Sequence, residues 1–236
     1  YTFHQRLFCY LIDNQIYIKS KQHYIFSMKR DIYNKLIEWK KSKRRKPLIL
    51  NGARQVGKTY ALKHFGKSHY DKVAYLNFER DEKLSSFFQK SLDPEEIVKI
   101  LSIHTNIDIE KNNTLIFFDE IQQCPKALNS LKYFNEEAND YHVVSAGSLL
   151  GIKMANSSGF PVGKVNFLNL YPLNFFEFLV ATKNEKLRTF LEEIDTFSQI
   201  PELIHDKLIT LLKYYIYIGG MPEAVAEYSK YEKIDK

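Results

Sequence analysis

Cysteine is nearly absent: the 236-residue chain has two, Cys9 and Cys124, with no C-x-x-C pair and no histidine at ligand spacing. That excludes a disulfide framework and a structural zinc site, and a cytoplasmic location is expected. Long apolar runs are missing too. No stretch reaches the eighteen or so residues of a membrane span, and Arg6 and Asp13 interrupt the N-terminal apolar segments with no small-residue cleavage site after them. Neither membrane insertion nor export is expected. What is present is an ordinary globular composition, 44% hydrophobic and 26% charged, long enough for one substantial α/β domain with a smaller appendage.

The strongest positive signal is Gly52-Ala53-Arg54-Gln55-Val56-Gly57-Lys58-Thr59, a full match to G-x-x-x-x-G-K-[ST]. Its surroundings suit the chemistry. Leu48-Ile49-Leu50-Asn51, preceded by Pro47, is a short apolar run that reads as a buried strand, and Ala61, Leu62 and Phe65 give the following segment a helical face. A strand entering a glycine-rich turn and then a helix aims successive backbone N–H groups and the positive helix end at one point, where a polyphosphate can sit. ATP or GTP is the expected ligand, held by Gly52 through Tyr60.

Further along, Thr114-Leu115-Ile116-Phe117-Phe118 is a continuous apolar or β-branched strand, the pattern of a parallel strand covered on both faces, and it ends in Asp119-Glu120. A buried acid at that edge is costly unless it serves a ligand, and ligands of open α/β sheets bind beyond the carboxyl ends of the strands. Asp119, with Thr59, is therefore expected to support Mg²⁺. Glu120 is expected to turn toward the γ-phosphate and polarise the attacking water, with Lys58 on the phosphates.

Other strands are expected at Lys72–Phe78, His142–Ala146 and Val165–Leu170, with helices at Pro125–Asn139 and from Asp93-Pro94, where Asp caps and Pro takes the first helical position. Strands and helices alternate as in a parallel, three-layer sheet. Ser148, or secondly Ser145, stands where a strand end reaches a γ-phosphate; a plain turn serine accounts for it equally well. From Pro172 the texture is helical, opening on an Asn174/Glu177 capping-box pattern and continuing through Lys186–Ile194 and Pro201–Ile218, with Gly219-Gly220 ending the latter. Such a segment is expected to act as a lid over the nucleotide.

Two regions stand apart. Tyr1 to Ser27 has no sustained period, and Met28 is the expected native start, residues 1–27 being an extension. Lys40-Lys41-Ser42-Lys43-Arg44-Arg45-Lys46 carries six positive charges in seven residues, within a chain of net charge +6. This run is an electrostatic footprint for nucleic-acid phosphate, although a solvated loop explains it as well.

Leu-Ile-Leu-Asn-Gly-Ala-Arg-Gln-Val-Gly-Lys-Thr, Leu-Ile-Phe-Phe-Asp-Glu-Ile-Gln, Ser-Ala-Gly-Ser-Leu-Leu-Gly, Pro-Val-Gly-Lys-Val, Tyr-Pro-Leu-Asn-Phe-Phe-Glu-Phe-Leu and Gly-Gly-Met-Pro-Glu-Ala together resemble the prokaryotic AAA-type (AAA+) P-loop ATPases with a C-terminal domain of unknown function. The resemblance implies an α/β, three-layer parallel sheet over about residues 28–171 with a C-terminal helical lid over 172–236, followed in relatives by a further domain that would begin where this chain stops. It implies an ATP hydrolase with ATP and Mg²⁺ as cofactors and an unknown protein partner, and leaves the oligomeric state open. Its Walker A residues fall on Gly52, Gly57, Lys58 and Thr59, and its Walker B acids on Asp119 and Glu120. Relatives often show Gly-Arg where this chain has Gly163-Lys164, and lysine lacks arginine's planar fork. Beyond the basic run ending at Lys46, only Arg54, Arg80 and Arg188 remain as arginines. A slow ATPase in isolation is the expectation, because a finger arginine is worth roughly 10³ to 10⁵ in rate.

Overall fold

The computed structural model describes residues 30–148, 161, 163–195 and 198–231; the expected start at Met28 and the extension 1–27 lie outside them. The chain divides into two compact units. One is Ile32–Tyr171; the other comprises the described residues of Tyr1–Asp31 and Pro172–Lys236.

The first unit opens with α1 (Ile32–Lys41) and is built on a five-stranded, all-parallel sheet. The strands are β1 (Leu48–Gly52), β2 (Lys72–Asn77), β3 (Thr114–Asp119), β4 (His142–Ser148) and β5 (Asn166–Asn169), in the spatial order β2-β3-β4-β1-β5. Every residue of β3 is buried. Its lack of alternation in the sequence follows from cover on both faces. On one face Ile49, Ile116, Phe118 and Val143 meet Ile97 and Leu101 of α4 (Pro94–Thr105) and Leu128, Leu131 and Phe134 of α5 (Pro125–Glu137) in a continuous core. The other face belongs to α2 (Lys58–His69), where Gly66 is so close that an added Cβ would meet Val73 at 2.7 Å and Leu115 at 3.0 Å.

Local rules account for most element ends. Asp93 caps α4, its carboxylate accepting from Glu95 N and Glu96 N, with Pro94 at the first helical position. One helix leaves no periodic signal in the sequence: α3 (Glu82–Phe88), whose cap Asp81 accepts from Lys83 N and Leu84 N. At seven residues it is too short to display a period. The last strand is shorter than the expected Val165–Leu170, although Leu170 N still donates to Asn51 O at 2.7 Å.

The second unit is helical after Pro172: α6 (Phe175–Ala181), α7 (Glu185–Glu193), α8 (Glu202–Ile218) and α9 (Pro222–Tyr231). The capping box on α6 is complete: Asn174 Oδ1 accepts from Glu177 N while Glu177 Oε2 accepts from Asn174 N. Glu177 Oε1 also receives Arg30 Nε at 3.0 Å and Asp31 N at 2.8 Å, with both side chains of the ion pair buried. Truncating one partner of such a pair strands the other charge away from water. Glu177→Ala is thus expected to destabilise the protein by roughly 3 to 5 kcal/mol, read from the midpoint of urea unfolding. Gly219 (φ 78°) ends α8, and Gly220 lies against Leu173, whose carbonyl oxygen would be 2.1 Å from any Cβ there. Around these turns Leu173, Phe178, Val225 and Ala226 form one small core, and Leu179, Leu208 and Leu211 another.

Candidate functional site

β1 carries the chain to the carboxyl edge of the sheet between β4 and β5, and there the backbone turns through Gly52–Gly57 into α2. Val56 is fully buried and anchors this turn, whereas Ala53, Arg54 and Gln55 are exposed. Glycine is required at Gly52, because a Cβ would sit 2.4 Å from Leu170 O, and it suits Gly57, which adopts φ 93°. Gln55 takes φ 66° with a side chain attached, a conformation costing on the order of 1 kcal/mol or more and characteristic of ligand-binding turns. Gly57 is the N-cap of α2 and offers no capping side chain. The first-turn N–H groups therefore have no intrahelical partners and, with the helix dipole, make a site for an anion.

Lys58 is buried, and its Nζ donates to Gly52 O at 2.9 Å and Ala53 O at 2.8 Å. Burial lowers its pKa, while Glu120 and Asp119 act the other way. The ammonium thus lies folded over the turn, next to where phosphate oxygens would be held. Thr59, one residue on, points its hydroxyl at Asp119, 3.1 Å from each carboxylate oxygen. Tyr60 stacks on His64 with ring centroids 6.2 Å apart, and burial raises its phenol to about 12.

Asp119 ends β3 and is buried. It accepts from Tyr75 Oη at 2.8 Å, from Glu120 N at 3.2 Å and from Asn77 Nδ2 at 3.5 Å in addition to Thr59. Burial pushes its carboxyl above the usual range, and the hydrogen bonds from Tyr75 and Thr59 oppose that. Glu120 follows in the left-handed conformation (φ 51°), heading the short 3-10 turn Ile121–Gln123. Its Oε2 receives Gln122 Nε2 at 2.5 Å. A left-handed glutamate costs energy, and its effect is to turn the side chain away from the line of the strand.

β4 lies between β1 and β3, so Ser148, its last residue, pairs in register with Gly52 and reaches the same edge as Asp119. Ser145 does not reach that edge. It is fully buried between Ile49 and Phe118 in the sheet, and no hydrogen-bond partner meets its Oγ. Tyr75, Asn77 and Gln122 carry no signal of a site in the sequence. Tyr75 and Asn77 share a face of β2 with alternate residues, but only the pairing of β2 with β3 shows that this face meets Asp119.

Other sequence candidates are committed elsewhere. Lys164 precedes β5, at the opposite edge of the sheet, and pairs with Glu136 at 2.9 Å. Arg188 is held by Asp31 and Glu192, each at 2.8 Å. Arg54 is exposed and 3.9 Å from Glu79. The basic run precedes β1, so it too lies at the far edge from Gly52–Gly57. Within it Lys40 Nζ donates to His69 O and lies over the Tyr70 ring, Arg45 Nη2 donates to Asn139 O at 2.6 Å, and Lys46 Nζ donates to Gly163 O at 2.5 Å. Lys41, Lys43 and Arg44 are exposed.

A family model described as AAA domain matches residues 44–179, which takes in the turn, α2, both acids and all five strands. The chain belongs to this AAA domain family. Among curated proteins, the uncharacterized protein MJ1637 of Methanocaldococcus jannaschii is 25% identical over 231 residues, covering 92% of this chain and 46% of that protein. The chain thus spans less than half the length of that relative. A RuvB point variant from Thermotoga maritima aligns over 89% of this chain and 65% of its own, with TM-score 0.51 and 15% identity. AMPPCP-bound DnaA from Aquifex aeolicus aligns over 86% of this chain and 59% of its own, with TM-score 0.45 and 13% identity. The RuvB likeness is one of fold, the parallel three-layer sheet of an AAA+ P-loop ATPase module with helices after it.

Among the described residues no helix is long and apolar enough to cross a membrane. Nor do they contain a cluster of three or more His, Cys, Asp or Glu of the kind that cages a metal. One carboxylate and one hydroxyl, Asp119 and Thr59, are hard oxygen donors of the kind Mg²⁺ accepts when phosphates supply the remaining ligands.

Proposed function

We propose that the chain is the ATPase module of a larger switch: it binds ATP with Mg²⁺ at Gly52–Tyr60, hydrolyses it slowly, and couples the change to a protein partner or a further domain. The observation that carries this reading is the convergence at one sheet edge of the strained turn Gly52–Gly57, the inward-folded Lys58 and the Thr59–Asp119 pair. In this reading the turn and the first-turn N–H groups bind the phosphates. Lys58 moves from Gly52 O and Ala53 O to phosphate oxygens, and Thr59 and Asp119 hold Mg²⁺, which neutralises charge on the transferred group. Glu120 orients the attacking water, and Ser148 bonds the γ-phosphate or that water. ATP with Mg²⁺ is expected to raise the melting temperature, and an unchanged melting curve at saturating nucleotide would sink the reading.

Duplex DNA is a second reading, supported by the exposure of Lys41, Lys43 and Arg44. Arg45 contributes to the fold instead, so the useful variant is Lys43→Ala with Arg44→Ala. If both touch phosphates, the slope of log affinity against log salt is expected to flatten by about 1.8, at about 0.9 per phosphate, with ATP binding intact. A slope that does not move returns the run to a solvated loop.

A further inference from the structure

Asp119 is held by more than the hydroxyl of the phosphate-binding turn, and its neighbours are not equivalent. Thr59 Oγ1 sits 3.1 Å from both carboxylate oxygens and so selects neither orientation. Glu120 N, at 3.2 Å, secures Oδ1, and Asn77 Nδ2 is at the limit of bonding, 3.5 Å from Oδ2. The short contact is Tyr75 Oη to Oδ2 at 2.8 Å. Tyr75 is itself fixed three ways. Its ring packs on Phe117 with centroids 5.2 Å apart, Asn77 Nδ2 donates to its oxygen at 3.2 Å, and Lys63 Nζ stands 3.5 Å from its ring centroid. Asn77 is oriented in turn, because its Oδ1 accepts from Glu79 N and Arg80 N, each at 3.0 Å.

We propose that Tyr75, backed by Lys63, is the positioning residue of the metal-holding carboxylate, fixing Asp119 for the Mg²⁺ that accompanies the nucleotide; this rests on the nucleotide reading above. The directions of the bonds agree. Asn77 supplies a proton to the phenol oxygen, so the phenol's own proton is committed to Asp119, and each bond polarises the next. A cation over the ring draws electron density from it and makes the phenol a stronger donor. Lys63 is one helical turn after Thr59, so α2 presents the metal-side hydroxyl and the cation behind Tyr75 from the same face. Without the phenol, Oδ2 is left with weak partners and the carboxylate must be reoriented when the metal arrives.

The test is a Mg²⁺ titration of the ATP-dependent melting shift, with Tyr75→Phe and Lys63→Met compared with the unaltered chain. Tyr75→Phe is expected to raise the Mg²⁺ concentration at half-effect by about tenfold, the lower end for losing a partner of a metal ligand, with the full shift recovered at high Mg²⁺. Lys63→Met leaves the phenol in place and is expected to move the half-point in the same direction by about threefold, which also guards against a failure of Tyr75→Phe to fold. A merely structural role lowers the ligand-free melting temperature and leaves the half-point alone. Half-points for both variants within twofold of the unaltered chain, or shifted to lower Mg²⁺, overturn the proposal. Absence of any ATP-dependent shift in the unaltered chain instead removes the nucleotide reading on which it stands.

Discussion

Glu120→Gln is expected to lower ATP turnover by roughly two to three orders of magnitude while ATP affinity stays near that of the unaltered protein. The side chain follows a fixed and buried Asp119 and is turned by its left-handed backbone and by Gln122. Glutamine has the same length and keeps an oxygen to accept from Gln122, so geometry is preserved and only the basic carboxylate is lost. Orienting and polarising water matters in the transition state and little in the ground state, so kcat should fall without a matching loss of binding. Phosphate release and the ATP-dependent melting shift, measured on the same preparations, check this. Equal turnover in the two proteins would remove Glu120 from the role. Turnover of the unaltered protein that never exceeds buffer, with candidate partners present, would replace hydrolysis by a non-hydrolysing ATP-dependent adaptor.

Lys58→Ala is expected to abolish most of the stabilisation by nucleotide. At ATP about 100 times its dissociation constant that stabilisation is roughly 2.7 kcal/mol, or about 5 to 10 °C in melting temperature for a chain of this size. Without nucleotide, by contrast, the change should be small. Lys58 makes hydrogen bonds to two backbone carbonyls but carries a buried charge whose burial lowers its pKa, so removing it sheds a desolvation cost along with those bonds. Differential scanning calorimetry of both proteins, with and without ATP and Mg²⁺, separates the two effects. A nucleotide shift that survives in Lys58→Ala would mean that Gly52–Tyr60 is not where the nucleotide binds.

The candidate site was legible in the sequence where its geometry is local. A glycine at close approach, a glycine in the left-handed region, a lysine and a threonine at the start of a helix must be neighbours in the chain to act together, so Gly52, Gly57, Lys58 and Thr59 leave a motif. Asp119 was legible because an acid ending an apolar strand is costly without a purpose. Tyr75 and Asn77 were not legible, because they act across strands. Each is an unremarkable member of a half-buried strand until β2 is placed beside β3. Ser145 shows the opposite case: within sequence it stands near a strand end, but β4 runs on to Ser148, which leaves Ser145 fully buried.

The basic run teaches the same lesson about charge. Lys40, Arg45 and Lys46 count equally with Lys41, Lys43 and Arg44 toward a net charge, yet the first three tie the connection before β1 to His69, Asn139 and Gly163. Composition registers charge but not its partners. Arg188 is similar, since Asp31 is far away in sequence and close only after folding.

By itself, then, the sequence determined the alternation of strands and helices, the glycine-rich turn Gly52–Gly57, the acids at the end of β3 and the capping box at Asn174, because each depends on residue spacing within a few positions. The tertiary structure alone decided that β4 is inserted between β1 and β3, that Tyr75 and Asn77 close on Asp119, and that Lys40, Arg45 and Lys46 are tied to His69, Asn139 and Gly163. Those facts depend on which strands become neighbours, and strand order is fixed by the burial of whole faces against α2, α4 and α5, a quantity that no short window of residues contains.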